Sequence, residues 1–261
     1  MDDARRDFLK KAGLAAISIG ALPLVGAGVR AMTEAGASTG IQYGMVIDIA
    51  KCGNQALVAA AVKACHSLHN VPAIPKARQE EEIKWIWTEH FENVFPNMTT
   101  ARVSAEVKER PVIVLCNHCN RPSCVRVCPT KATWKRPSDG IVMMDMHRCI
   151  GCRFCMAACP YGSRSFNFSD PRKYLETNKG MATNYPTRTK GVVEKCQFCS
   201  ERLREGLQPA CVEAANAIEP GAMIFGDVND PNSEISSFLK QNYTVVRRLE
   251  MGTGPNVYYK M

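Results

Sequence analysis

The sequence predicts an α+β fold of short strands, short helices and long loops, arranged as tandem modules behind an N-terminal helix, and three observations predict it. Thirteen cysteines fall in four bursts along 261 residues. Short β-branched or apolar runs, Val112 to Val114 after Pro111 and Ile141 to Met144 after Gly140, lead into two of those bursts, so a strand followed by a cysteine loop recurs as an internal repeat. Ahead of them lies an uncharged run from Ala12 to Val29. The length allows one or two domains, and a hydrophobic content of 46% supports a real core. The formal charge of +8 does not point to nucleic acid, because the basic residues are dispersed rather than gathered with aromatics into a patch.

Two bursts carry the chemistry. Cys116, Cys119, Cys124, Cys128 and Pro129 read C-x2-C-x4-C-x3-C-P, and Cys149, Cys152, Cys155, Cys159 and Pro160 read C-x2-C-x2-C-x3-C-P. The second matches the bacterial ferredoxin run, in which three thiolates hold one 4Fe–4S cluster and the fourth reaches across to a neighbouring cluster. A loop with two-residue spacings turns successive sulfurs inward around three iron corners, and the fourth corner needs a thiolate from elsewhere. Carried over by this likeness, the crosswise rule gives one cluster Cys116, Cys119, Cys124 and Cys159, and the other Cys149, Cys152, Cys155 and Cys128. Zinc fits less well, since a structural zinc site uses two C-x2-C pairs for one ion. Disulfide staples are not needed by a chain with its own core.

The third burst, KCQFCSERLREGLQPACVEAANA, supplies Cys196, Cys199 and Cys211, with Ala215 where a closing step would place a fourth cysteine. The first burst has Cys52 and Cys65 alone. The stretches YGMVIDIAKC, CNHCNRPSCVRVCPTKATWKRPSDGIVMMD, RCIGCRFCMAACPYGSRSFNF, EKCQFC, EGLQPACVEA, GDVNDPNSEIS and GTGPNVYY, spread over residues 41 to 261, resemble the iron–sulfur electron-transfer subunits of the dimethyl sulfoxide reductase and formate-dependent nitrite reductase group. Those subunits have four ferredoxin-like motifs and usually four cubanes.

In that family the first motif pairs with the fourth. The resemblance therefore implies that the missing ligands, at Gln55, Val58 and Ala215, all fall on one cluster, while Cys196, Cys199, Cys211 and Cys65 form a complete set for its partner. Three 4Fe–4S clusters are expected from twelve cysteines, with Cys52 not a ligand. From Cys52 to Asn70-Val71-Pro72 the chain is about three residues longer than the family pattern, which leaves Cys52 as the alternative to Cys65; CHSLHNVP after Cys65 matches the family's closing segment and favours Cys65. The run Ala56 to Cys65 is rich in a strong helix former, and with Ala214, Ala215 and Ala217 on the opposite arm it is expected to pack where the fourth cluster would lie.

Arg5-Arg6-Asp7-Phe8-Leu9-Lys10 before the apolar run resembles a twin-arginine export signal. Residues 1 to 37 are read as that signal, or as a retained membrane anchor barely long enough to span a bilayer. Behind it, residues 41 to 110 with 190 to 228 are expected to form the first ferredoxin-like module, with an insert at 73 to 110. Residues 111 to 189 form the second module, and 229 to 261 a C-terminal helix and extended tail. In the insert, Ile83, Trp85 and Trp87 alternate as on a strand, while Glu80-Glu81-Glu82 suggest a helix end; both readings stand. Pro171 to Pro186, rich in turn formers, reads as a long surface loop able to touch a partner.

Arg121, Arg126, Lys131, Arg148, Arg153 and Arg164 lie beside the ligands in sequence and either tune reduction potentials or form a solvated surface. His118 and His147 are open to the same two readings. No nucleophile, nucleotide loop or catalytic motif occurs, so the chain reads as an electron conductor and not an enzyme. Within the family, SFNFSDPRKY, TRTKGVVEKC and KWIWTEHFENVFP are most similar to the extracytoplasmic iron–sulfur subunit of the transmembrane complex linked to dissimilatory sulfite reduction. That likeness implies a hetero-oligomer at the periplasmic face of the membrane, with an integral membrane quinone-interacting subunit, a multihaem cytochrome c and other membrane redox subunits as partners. The alternative is the electron-transfer subunit of a periplasmic molybdopterin oxidoreductase such as a polysulfide or thiosulfate reductase.

Overall fold

Strict alternation along Tyr43–Asp48 (β1) builds the central sheet. Met45 and Ile47 point to one face and Val46 to the other, as the period of two requires. In this computed structural model, which describes residues 40–75, 81–175, 182 and 185–261, β1 sits between two partners. Val257–Lys260 (β10) runs parallel to it, Met45 opposite Val257, and Met223–Asp227 (β8) runs antiparallel, Ile47 opposite Met223. Thr244–Val246 (β9) closes the order β8-β1-β10-β9. The face carrying Met45, Ile47, Val257 and Tyr259 enters the main core; Val46 and Ile224 on the other face are covered by Ile235 of the helix Glu234–Gln241 (α9).

The C-terminal residues are thus no free tail. Val257 and Tyr259 are fully buried and β10 is an inner strand. The apolar members of NVYYK alternate inward, and the strand can run parallel because a long connection, with α9 and β9, returns the chain to the correct end of the sheet.

Gln55–Leu68 (α1) forms where the alanine-rich run was expected. Asn54 caps it, its side chain accepting from the Ala56 amide at 2.9 Å. Leu57, Ala61 and Cys65, spaced by four, make one buried stripe. Asn70, with φ of 51°, turns the chain away. The stripe packs on Ala210–Asn216 (α8), whose Cys211, Val212 and Ala215 are buried. Ala217 does not join this packing, because it lies past the helix end and faces solvent.

Three two-stranded sheets frame the cysteine loops. Ile86–His90 (β2) pairs with Pro111–Leu115 (β3), Thr133–Lys135 (β4) with Val142–Met144 (β5), and Ser165–Phe166 (β6) with Val193–Glu194 (β7). The insert follows the strand reading from Ile86 on, and Glu81 and Glu82 lie in a turn and a loop, not at a helix end. Ile83 and Trp85 are buried before the strand starts at Ile86, and Phe91–Val94 (α2) and Ala105–Glu109 (α3) follow. The predicted loop from Pro171 contains a helical turn, Arg172–Leu175 (α6), with Leu175 buried. Further along, Asn70 Nδ2 donates to the carbonyls of Ala182 and Tyr185, at 3.0 and 2.7 Å. Among the described residues no helix is long and apolar enough to cross a membrane; the predicted signal or anchor lies outside them.

Candidate iron–sulfur sites

Three of the motifs share a backbone device. In Cys116-Asn117-His118-Cys119, Cys149-Ile150-Gly151-Cys152 and Cys196-Gln197-Phe198-Cys199, the residue before the second cysteine is left-handed, with φ of 42°, 70° and 53°. His118 and Phe198 adopt a region that non-glycine residues rarely visit, and such strain persists only where the surroundings impose it. The turn folds amides back on sulfur: Gly151 N–H donates to Cys149 Sγ and Phe198 N–H to Cys196 Sγ, both at 3.4 Å. Val193 N–H adds a second bond to Cys149 Sγ at 3.5 Å. A one-turn helix follows in each motif: Ser123–Arg126 (α4), Phe154–Ala157 (α5) and Ser200–Arg204 (α7).

These loops gather the thiols into separate groups. Cys116, Cys119, Cys124 and Cys159 line one recess, so the last cysteine of one motif reaches the leading three of the other. Cys128, Cys149 and Cys155 pack together with Cys124 alongside, and Cys152, in the same loop as Cys149 and Cys155, is exposed. Cys65 comes to Cys196, Cys211 and Cys199, and all four are buried. Cys52 is elsewhere: its Sγ donates to the Ala222 carbonyl at 3.6 Å, and the charges acting on it are those of Asp48 and Lys51.

The donor chemistry fits iron–sulfur clusters. Burial raises the Cys65 thiol well above its ordinary pKa, with repulsion from Cys196, Cys211 and Cys199 adding to it. Burial likewise pushes Cys119 and Cys211 up to about 12. Thiols crowded this way hold thiolate charge only when a cation sits among them. Cys128 is the exception: amides of Thr133, Ala132 and Thr130 and the Thr130 hydroxyl overcome desolvation and lower it. Buried polar atoms also point to a guest. Asn117, which lines the four-thiol recess, has both side-chain atoms buried without a partner.

Buried cations are the site residues that sequence reasoning could not sort. Of the six basic residues beside the motifs, Arg164 alone is buried; the other five are exposed surface. Arg164 donates to Thr133 Oγ1 at 2.9 Å, and Cys124, Cys155 and Cys116 more than offset its desolvation, holding its pKa above the ordinary arginine value. Lys195, not singled out by any motif, is fully buried; its Nζ donates to the carbonyls of Val142 and Cys196. His118 also divides from His147. It is fully buried, stacks on Phe198 at 3.7 Å and accepts the Val142 amide on Nδ1 at 3.1 Å. Burial, with Lys195 and Arg164 nearby, pushes its pKa far down and keeps the ring neutral. His147 is exposed.

Around the Cys65 group a second polar network is closed. His69 Nε2 meets Glu201 Oε1 at 2.7 Å, and the His69 ring stacks on Trp85 at 4.7 Å. Trp85 Nε1 donates to Glu194 Oε2 at 2.6 Å, and Glu194 pairs with the fully buried Arg188. From the other side, the segment between β9 and β10 clamps the Cys116 loop. Asn120 N–H donates to the Gly254 carbonyl at 2.7 Å and Arg121 N–H to that of Thr253 at 2.8 Å.

Thiol groups of this kind, on repeated left-handed turns, define a carrier of 4Fe–4S clusters of the ferredoxin type. A 4Fe–4S dicluster domain matches residues 112–170. The chain is similar to the Hdr-like menaquinol oxidoreductase iron-sulfur subunit 1 of Archaeoglobus fulgidus, 46% identical over 217 residues, which is 81% of this chain and 76% of the relative. It is 35% identical to the menaquinone reductase iron-sulfur cluster-binding subunit of Nitratidesulfovibrio vulgaris, covering 84% and 88% of the two chains. It is 34% identical to protein NrfC of Escherichia coli K12, covering 98% and 94%. The chain belongs to this family of iron–sulfur electron-transfer subunits, and it is an electron-transfer subunit and not a catalytic one.

Proposed function

We propose that the protein carries three 4Fe–4S clusters and relays single electrons between a membrane quinone-interacting subunit and a cytochrome c or other redox partner in a respiratory complex. The ligand sets are Cys116, Cys119, Cys124 and Cys159; Cys149, Cys152, Cys155 and Cys128; and Cys65, Cys196, Cys199 and Cys211. They belong to two ferredoxin-like modules, 41–110 with 190–228 and 111–189. Each cluster, when bound, takes up and releases one electron at a time. The chain's own residues supply the thiolates, the amide bonds to sulfur and the buried cations, and they bury the Cys65, Cys196, Cys199 and Cys211 set.

One observation supports this reading: Cys65 meets the Cys196 group, and Leu57, Ala61 and Ala215 pack in the same core. Iron and acid-labile sulfide analysis of the purified complex tests it. Three cubanes give about 12 iron atoms per chain, and four would give about 16.

A quinone-linked role is supported by the relatives described as menaquinol oxidoreductase and menaquinone reductase subunits. The finer assignment, to the sulfite-reduction-linked complex at the periplasmic face after twin-arginine export, rests on the sequence resemblance. The rival assignment, to a molybdopterin oxidoreductase, is favoured by similarity to a tetrathionate reductase subunit of Salmonella typhimurium, 32% identical over 262 residues. Copurification separates them: a cytochrome c with heterodisulfide-reductase-like membrane subunits supports the first, and a molybdopterin subunit the second.

A further inference from the structure

Two basic side chains lie in the interior beside the thiol groups. Lys195 is 0% exposed and Arg164 is 5% exposed. Among the described residues neither has a carboxylate within ion-pair distance; Lys195 is bonded to two backbone carbonyls, and Arg164 to a hydroxyl and, at 3.8 Å, to Met144 Sδ. An isolated buried cation is expensive enough that proteins pair it or discharge it. Of the other buried basic side chains among the described residues, Arg188 pairs with Glu194 and Arg247 lies over the Tyr161 ring at 5.6 Å.

Their positions give the reason. Arg164 lines the recess of Cys116, Cys119, Cys124 and Cys159. Its partners Thr133 and Met144 lie on β4 and β5, Met144 packs with Cys155, and Cys155 itself is hydrogen-bonded to Arg164. Arg164 therefore stands between the Cys116 and Cys149 groups. Lys195 precedes Cys196 in the chain, and its ammonium reaches the carbonyl of Val142, a residue that lines the Cys116 recess. It stands between the Cys116 and Cys196 groups, next to the neutral His118. The order along the interior is thiol group, cation, thiol group, cation, thiol group.

We propose that Arg164 and Lys195 are shared counter-ions, each raising the reduction potential of the two clusters that flank it and screening those clusters from one another. This rests on the three-cluster reading. A cubane with four thiolates is an anion that becomes more negative when it gains its electron, so a fixed positive charge nearby favours the reduced form. The Cys116 cluster, touched by both cations, depends on both; each outer cluster depends on one.

The test is a potentiometric titration of the full-length protein in its complex, followed by electron paramagnetic resonance, with each signal assigned by one Cys→Ala variant per set. Lys195→Gln keeps amide donors for the two carbonyls, and Arg164→Gln keeps one for Thr133. Lys195→Gln lowers the potentials of the Cys116 and Cys196 clusters and leaves the Cys149 cluster unchanged. Arg164→Gln lowers those of the Cys116 and Cys149 clusters and spares the Cys196 cluster. The shift expected at each affected cluster is roughly a tenfold change in the reduced-to-oxidised ratio at fixed ambient potential, about 59 mV for one electron. Lys195→Arg and Arg164→Lys keep the charge and restore the wild-type potentials.

Unchanged potentials, or an equal shift of all three, would overturn the assignment. A Gln variant that loses iron supports it when the lost cluster flanks the altered residue, and overturns it when the lost cluster is the remote one. A wild-type iron content other than about 12 per chain sinks the three-cluster reading itself, independently of any shift.

Discussion

Two cysteine-led loops of this chain adopt opposite conformations. In Cys196-Gln197-Phe198-Cys199, Phe198 is left-handed with φ of 53° and its amide donates to Cys196 Sγ. At the matching place in the first motif, Cys52-Gly53-Asn54-Gln55, Asn54 is extended, with φ of −74° and ψ of 114°, and it caps a helix. The comparison teaches what the sulfur does to the backbone. Where thiols converge, an unfavourable turn is held so that amides face them; where they do not, the same stretch relaxes into a capped helix that buries small apolar side chains.

Helix α1 contains both outcomes, which makes it the place to break the comparison. Cys65 near its C-terminal end joins the Cys196 group, whereas Cys52 just before the helix donates to the Ala222 carbonyl. The largest expected effect is therefore asymmetric. Cys65→Ala removes one cluster and drops iron from about 12 to about eight per chain, with loss of one electron paramagnetic resonance signal. Cys52→Ala leaves both unchanged. Equal iron losses in the two variants would mean that the first motif still holds metal.

Next in size is the packing of α1 on α8. Leu57→Ala opens a cavity at a fully buried position and costs about 2–5 kcal/mol, read as a lower midpoint of thermal or denaturant unfolding. Ala215→Leu, also fully buried, overpacks the α1–α8 contact at a cost of about 1–3 kcal/mol. Ala217→Leu, on the exposed side, changes stability by no more than about 0.5 kcal/mol. Iron content stays at about 12 in all three if this contact is an aliphatic core and not a ligand shell.

Much of this was legible in the residues. Spacing alone marked the loops of Cys116 and Cys149, and the runs before them became β3 and β5. Alanine content and the losses at Gln55, Val58 and Ala215 marked α1 and its packing. What was hidden depends on long-range geometry. Lys195 has no spacing to announce it; its meaning comes from reaching Val142, 53 positions away in the chain. Arg164 looked like five other basic residues until burial separated it. The last residues read as a tail because a parallel strand gives no local turn signal to pair it with β1. The left-handed residues were half visible: Gly151 suits its turn, but His118 and Phe198 would not be chosen for it on propensity.

The smallest effect sharpens the comparison most directly. If the first motif has become a helix start, Asn54 contributes as a cap and in no other way, since its side chain accepts the Ala56 amide. Asn54→Ala then costs about 1 kcal/mol, while Asn54→Gly costs only a few tenths, because glycine is itself tolerated at a cap and leaves the amide open to water. A residue shaping a cluster loop would show the reverse order of importance, with altered iron content or spectra and little regard for cap preference. Chemical denaturation of the two variants beside the wild type, with iron measured on the same samples, distinguishes a cap from a ligand loop. Retained iron with alanine more damaging than glycine is the expected result, and it follows from Asn54 being extended and capping a helix where Phe198 is left-handed.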